Sequence, residues 1–165
     1  MLPTNGAVIA AMADYNRGDA PRINHALKVY AYAKSIGEQE GLLEKEQAIL
    51  ETAAILHDIG IHESERKYGS ADGRYQQIEG PDIAETLLHG LGCKDKDAID
   101  RIRFLIAHHH TYTDVDGLDY RILIEADFLV NLDESPSMRR SSEEILRNHF
   151  QTGAGVRFWK ALFQL

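Results

Sequence analysis

Apolar residues recur at three- and four-residue spacing along most of the chain, and no stretch alternates apolar with polar residues as a half-buried strand does. The pattern reads as all-α. A first helix is predicted over residues 5–16, ended by the turn-prone run Asn16-Arg17-Gly18-Asp19. Pro21 suits the first turn of a second helix, which carries Ile23, Ala26, Leu27, Tyr30, Ala33 and Ile36 toward a stop near Gly41. A third helix is predicted from Leu43 or Glu44, with Gly60 as its terminator. The periodicity then dissolves into HESERKYGSADGRYQQIEG, residues 62–80, which reads as a functional or mobile loop. Pro81 is expected to open a helix through Leu88, and Asp95 or Asp97 to cap another reaching the histidines at 108–110. Residues 120–132 are predicted as a buried helix. Ser141-Ser142-Glu143-Glu144 looks like the start of a further one, and the aromatic tail from Val156 is expected to close the core.

Composition narrows the class. With 165 residues, 44% hydrophobic and 27% charged, the chain fits one compact multi-helix bundle over residues 1–165. No apolar run approaches the roughly 18 to 20 residues that span a bilayer, and the first residues lack the basic start of a signal peptide, so a cytoplasmic protein without membrane association is expected. The single cysteine, Cys93, excludes an intrachain disulfide and a four-cysteine zinc site, and it reads as a small buried hydrophobe. A formal charge of −8 opposes general nucleic-acid binding but leaves room for a small phosphorylated ligand. Homo-oligomerisation stays open.

The chemistry concentrates where polar groups interrupt apolar helices. In AAILHDIGIH, residues 53–62, His57 shares a helical face with Leu50, Ala53 and Ala54, and Asp58 lies about 100° further round. A carboxylate at a helix C-terminus faces the negative end of the dipole, so Asp58 calls for a nearby cation. Asp127 raises the same problem inside the strongly apolar run ILIEADFLVNL, and His25 sits with Val29 and Tyr32 on one side of the second helix. Taken singly, each residue has an ordinary reading as a hydrogen-bonded core or surface group. Together, two imidazoles and two carboxylates make a sensible pocket for a divalent metal with nitrogen and oxygen ligands, although spacing alone leaves their convergence open.

The order His25, His57-Asp58, Asp127 resembles the H…HD…D signature of the HD superfamily of metal-dependent phosphohydrolases. The resemblance spans residues 22–132, and is supported by Ala107-His108-His109-His110 and by the EADFLV run at residues 125–130. It implies an all-α HD domain whose core is completed by residues 135–165. It also implies that His25, His57, Asp58 and Asp127 ligate one divalent ion, with Mn, Fe, Co, Mg, Ni and Zn undistinguished. Asp58 would in addition act catalytically by orienting the attacking water or taking its proton.

Binuclear members add further histidines. Here His108 and His109 are the best match to their HH pair, with a one-residue shift to His110 as the alternative. Three consecutive side chains cannot all face one point on a regular helix, so at least one is expected outside the site. Where a histidine would open the helix after the HD loop, this chain has Gln76, Gln77 and Glu79; Glu79 is the candidate substitute ligand, with an ordinary helix-start acid as the alternative, and His89 reads as structural. One metal is expected and a second is open.

A further departure is Ile61-His62, which stands where several members carry a lysine for the substrate phosphate. His62, Arg66, Lys67, Arg74 and Asn131 are the candidate substrate-binding residues; side chains such as Arg66, Lys67 and Arg74 are more often solvated loop charges. The implied reaction is hydrolysis of a phosphate ester, with a nucleotide or related phosphometabolite as substrate. Two alternatives stay in view: a di-iron oxygenase of the same helical fold, and a non-catalytic, metal-stabilised ligand-binding or regulatory domain.

Overall fold

The computed structural model describes residues 1–164. In chain order the helices are α1 (Asn5–Tyr15), α2 (Ala20–Glu40), α3 (Glu44–Leu56), α4 (Ile61–Tyr68), α5 (Gly73–Gly90), α6 (Lys96–His108), α7 (Leu118–Glu134), α8 (Pro136–Arg139), α9 (Ser142–His149) and α10 (Gly153–Phe163), with no strand among the described residues. The starts follow local chemistry. Asp19 accepts a hydrogen bond from the Arg22 amide at 3.2 Å to cap α2, Asp72 accepts from the Arg74 amide to cap α5, and Asp95 accepts from the Ala98 amide to cap α6. At its far end α2 stops on Gly41, whose φ of 78° is the left-handed conformation a glycine adopts without strain.

Two helices are buried nearly all round. In α3 every residue from Ile49 to Leu56 is buried, and in α7 every residue from Ile122 to Val130. A helix without a polar face belongs at the centre of a bundle. Accordingly α2, α3 and α7 pack on one another, α6 packs on α3, and the α5–α6 pair covers that side. The centre is therefore where the first part of α2, the C-terminal end of α3 and the middle of α7 meet, which is where the polar residues lie.

The last helix is tied down by a buried carboxylate. Glu125 of α7 is fully buried and accepts hydrogen bonds from the Gln151 amide at 2.9 Å, the Thr152 amide at 3.1 Å and the Thr152 hydroxyl at 2.6 Å. Burial raises its carboxyl pKa, while these donors, at the positive N-terminal end of α10, oppose the rise. Gly155 leaves room for that carboxylate, since a Cβ there would overlap Glu125 Oε1.

Residues 62–80 depart from the sequence reading. They are not a loop: α4 and the first part of α5 occupy most of them. In α4 only Ile61 and Ser64 are buried, so apolar periodicity carries no signal there. The helix is instead supported by Glu63 pairing with Arg66 and Lys67, at three- and four-residue spacing. Gly60 does not end a helix in a left-handed turn; its φ is −81° and it begins α4. It is needed for close approach, because a Cβ there would lie 2.7 Å from the Gly80 nitrogen and 2.8 Å from the Gln76 carbonyl oxygen. Pro81 likewise does not open a helix but lies inside α5, buried, next to that contact. Tertiary packing here outweighs the local cost of an interior proline.

Candidate metal centre

Three helices deliver four polar side chains to one point. α2 brings His25, the turn after α3 brings His57 and Asp58, and the middle of α7 brings Asp127. His57 is wholly buried, and His25 and Asp127 are 4% exposed. His25 Nε2 lies 3.2 Å from His57 Nε2, from Asp127 Oδ1 and from Asp58 Oδ2. His57 Nε2 lies 3.2 Å from Asp127 Oδ1 and 3.3 Å from Asp58 Oδ2.

These separations fit a metal. An ion about 2.1 Å from each nitrogen and oxygen ligand, with neighbouring ligands roughly 90° to 109° apart, places those atoms about 3.0 to 3.4 Å from one another. The tautomers agree. His25 Nδ1 sits 2.6 Å from Glu134 Oε1, and His57 Nδ1 sits 2.7 Å from the Ala54 carbonyl oxygen. Both partners only accept, so each Nδ1 carries the proton and each Nε2 presents a lone pair to the centre, as in histidines that bind metal.

The electrostatics make the same demand. Burial alone would lower the His25 pKa, but the carboxylates of Asp127 and Asp58 outweigh it and push the imidazole up to about 10. His57 moves well upward against burial because Asp58 and Asp127 face it. Burial would raise Asp58 and Asp127, but the imidazoles hold both well below the usual carboxylate range. The cluster requires positive charge, which protons or a divalent cation can supply.

A second group adjoins the first. Asp58, His109 and His110 each offer a ligand atom within 4.8 Å of the others. Asp58 Oδ1 lies 3.3 Å from His109 Nε2, so the two oxygens of this carboxylate face the two groups. His109 is wholly buried; its Nδ1 donates to the Ile106 carbonyl at 2.7 Å, and its Nε2 has no hydrogen-bond partner. Burial, aided by neighbouring His109, lowers the His110 pKa to about 4, leaving the neutral imidazole a metal needs.

His108 is therefore the histidine set aside, and the pair is His109 with His110. The His108 ring stacks on Phe104 at 4.1 Å and its Nδ1 donates to the Phe104 carbonyl. The physical reason is helical register: His109, the C-cap of α6, keeps α-helical dihedrals and so continues the buried face of Ile102, Leu105 and Ile106, whereas His108 lies about 100° round from it. Glu79 is not brought to either group. It accepts from Lys67 Nζ at 3.1 Å and from the Tyr68 hydroxyl at 2.9 Å, tying α5 to α4.

The candidate substrate-binding residues also have other engagements. Arg66 pairs with Glu63, Lys67 with Glu79, and Arg74 with Asp72. His62 Nε2 lies 2.7 Å from Asp19 Oδ2, joining α4 to the cap of α2. Asn131 is half-buried one turn beyond Asp127 on α7. His89 holds the end of α5 through the Cys93 carbonyl and Glu85, and Cys93 is buried.

One residue escaped the sequence reading. Glu134 contacts His25 from two turns beyond Asp127 on α7, a spacing that places it on the same helical face and was the available signal.

No described helix is long and apolar enough to cross a membrane. A search among curated proteins found no match, and a search among solved structures found none either. A family model described as HD domain matches residues 22–148, which include all four clustered residues as well as His109, His110 and Glu134. By that match, which covers most of its length, the chain belongs to the HD domain family.

Proposed function

We propose that the protein is a metal-dependent phosphohydrolase acting on a small phosphate ester, with nucleotides as the first class of substrate to test. The observation that carries this reading is the convergence of His25, His57, Asp58 and Asp127, with two imidazole lone pairs and two carboxylate oxygens at 3.2 to 3.3 Å inside the bundle. These four residues would hold one divalent ion, and Asp58, His109 and His110 a second. A bound divalent ion lowers the pKa of a coordinated water and polarises a phosphoryl oxygen.

The protein's own groups supply the rest. Asp58 directs one carboxylate oxygen to each group, which suits it to orient the attacking water and accept its proton. The packed helices behind His57 fix that carboxylate in place. The basic residues of α4 and α5 are all paired with carboxylates, so for Arg66, Lys67 or Arg74 to meet a substrate phosphate one of these pairs would have to open.

The test is a screen of the purified protein against nucleotides and phosphate esters with Mn²⁺, Co²⁺, Fe²⁺, Mg²⁺, Ni²⁺ or Zn²⁺. Phosphate release is expected with at least one metal and loss of that release in His57→Ala. Full activity in His57→Ala would sink the proposal. Two tightly held irons with oxygen uptake and no phosphate release would favour the oxygenase, and metal binding without turnover would favour a binding domain.

A further inference from the structure

We propose that Glu134 is a positioning residue of the metal centre, holding the His25 imidazole with its proton on Nδ1 so that Nε2 stays turned toward His57, Asp58 and Asp127. The inference rests on the metal-centre reading above and concerns a residue that touches none of the meeting ligand atoms.

Three buried imidazoles in this region have a fixed Nδ1 partner, but not of the same kind. His57 follows the last residue of α3 and His109 follows the last residue of α6. The final carbonyls of a helix lack an intrahelical partner, so each ring donates to one three residues back, Ala54 for His57 and Ile106 for His109. No side-chain substitution removes those acceptors. His25 stands inside α2, where the preceding carbonyls are taken up by the helix itself. Its acceptor comes from another element: Glu134 of α7 provides it at 2.6 Å.

The arrangement grips one ring from both ends. α7 sends Asp127 Oδ1 to 3.2 Å from His25 Nε2 and, seven residues later, Glu134 Oε1 to Nδ1. Lys28, one turn after His25 on α2, lies 3.3 Å from Glu134 Oε2 and holds the second oxygen of that carboxylate. A helix-stabilising role does not account for Glu134. It is the last residue of α7, where a carboxylate meets the negative end of the dipole and lysine or arginine is favoured.

Carboxylates that accept from a ligating histidine raise its basicity as well as fixing its ring, and losing one typically weakens metal binding about 10- to 100-fold. The experiment is calorimetric titration of Co²⁺ into the metal-free full-length protein, wild type against Glu134→Ala, Glu134→Gln, Asp133→Asn and His57→Ala, with the melting temperature of each metal-free form alongside. Glu134→Ala is expected to bind about 10- to 100-fold more weakly. Glu134→Gln, whose amide oxygen still accepts from Nδ1, should fall between it and wild type, and this variant carries the test if the alanine variant does not fold. Asp133→Asn removes the same charge from an exposed neighbouring side chain and should leave the affinity unchanged. Wild-type affinity in Glu134→Ala, or an equal loss in Asp133→Asn, overturns the role of Glu134 while leaving the metal centre standing. No Co²⁺ binding by the wild type, or undiminished binding in His57→Ala, overturns the metal centre and this inference together.

Discussion

His25 Nε2 and His57 Nε2 face each other at 3.2 Å, and each ring has its Nδ1 proton committed to an acceptor on the far side. Two nitrogen lone pairs aimed at one another, with a carboxylate oxygen on either side, repel unless a proton or a metal cation lies among them. This relationship converts a pair of buried histidines into a binding site with a defined charge requirement.

Metal should therefore stabilise the fold. A ligand that binds only the native state adds about 2.7 kcal/mol at one hundred times its Kd. Melting temperature should rise on adding Mn²⁺ or Co²⁺ to protein treated with a chelator, and His57→Ala or Asp127→Asn should abolish the rise. Differential scanning calorimetry checks both.

Acid should weaken metal binding. In the metal-free protein His25 is raised to about 10 from its ordinary 6.5, so near pH 7 it holds a proton that a metal has to displace. Apparent affinity should accordingly increase as pH rises, and calorimetry in buffers of different ionisation enthalpy should reveal the released proton. The metal-free fold has its own pH window. The raised His25 contributes stability that is fully present below 6.5 and is lost as pH rises through about 10. The depressed Asp58 and Asp127 contribute stability that is present above 3.8 and is lost as pH falls below it. These are two descriptions of one set of contacts, so melting temperature should form a plateau between acid and alkaline losses.

The histidine triplet predicts a difference in stoichiometry. His109→Ala and His110→Ala should lower occupancy of a second ion while leaving the first, because within the triplet only these two form the second group with Asp58. His108→Ala should leave both, since its ring packs on Phe104. Elemental analysis of dialysed protein distinguishes the three variants.

Gly60→Ala should cost stability even though the backbone conformation there suits any residue. The new methyl would meet backbone atoms of Gly80 and Gln76, which cannot rotate away, so α4 and α5 would have to separate. Overpacking of this kind costs about 1 to 3 kcal/mol. Urea unfolding should show a lower midpoint, and metal affinity should fall because Asp58 lies two residues away.

The all-α class, a cap at Asp95 or Asp97, and the principal chemistry of the centre were legible in the order of residues. His25, His57, Asp58 and Asp127 stood out because imidazoles and carboxylates set into apolar helices are costly without a partner, and that cost is visible before any partner is known. The helical course of residues 62–80 was hidden because α4 buries only two side chains, and Pro81 looked like a boundary because local rules know nothing of the Gly60–Gly80 contact. The register of the histidine triplet turned on which face of α6 is buried, since one residue of helix moves a side chain by about 100° and His109 continues the face of Ile102, Leu105 and Ile106. Glu134 acquired meaning only when α7 was laid against α2, which brings its carboxylate to His25. Local sequence determines which groups need satisfying; the packing of distant helices decides which groups satisfy them.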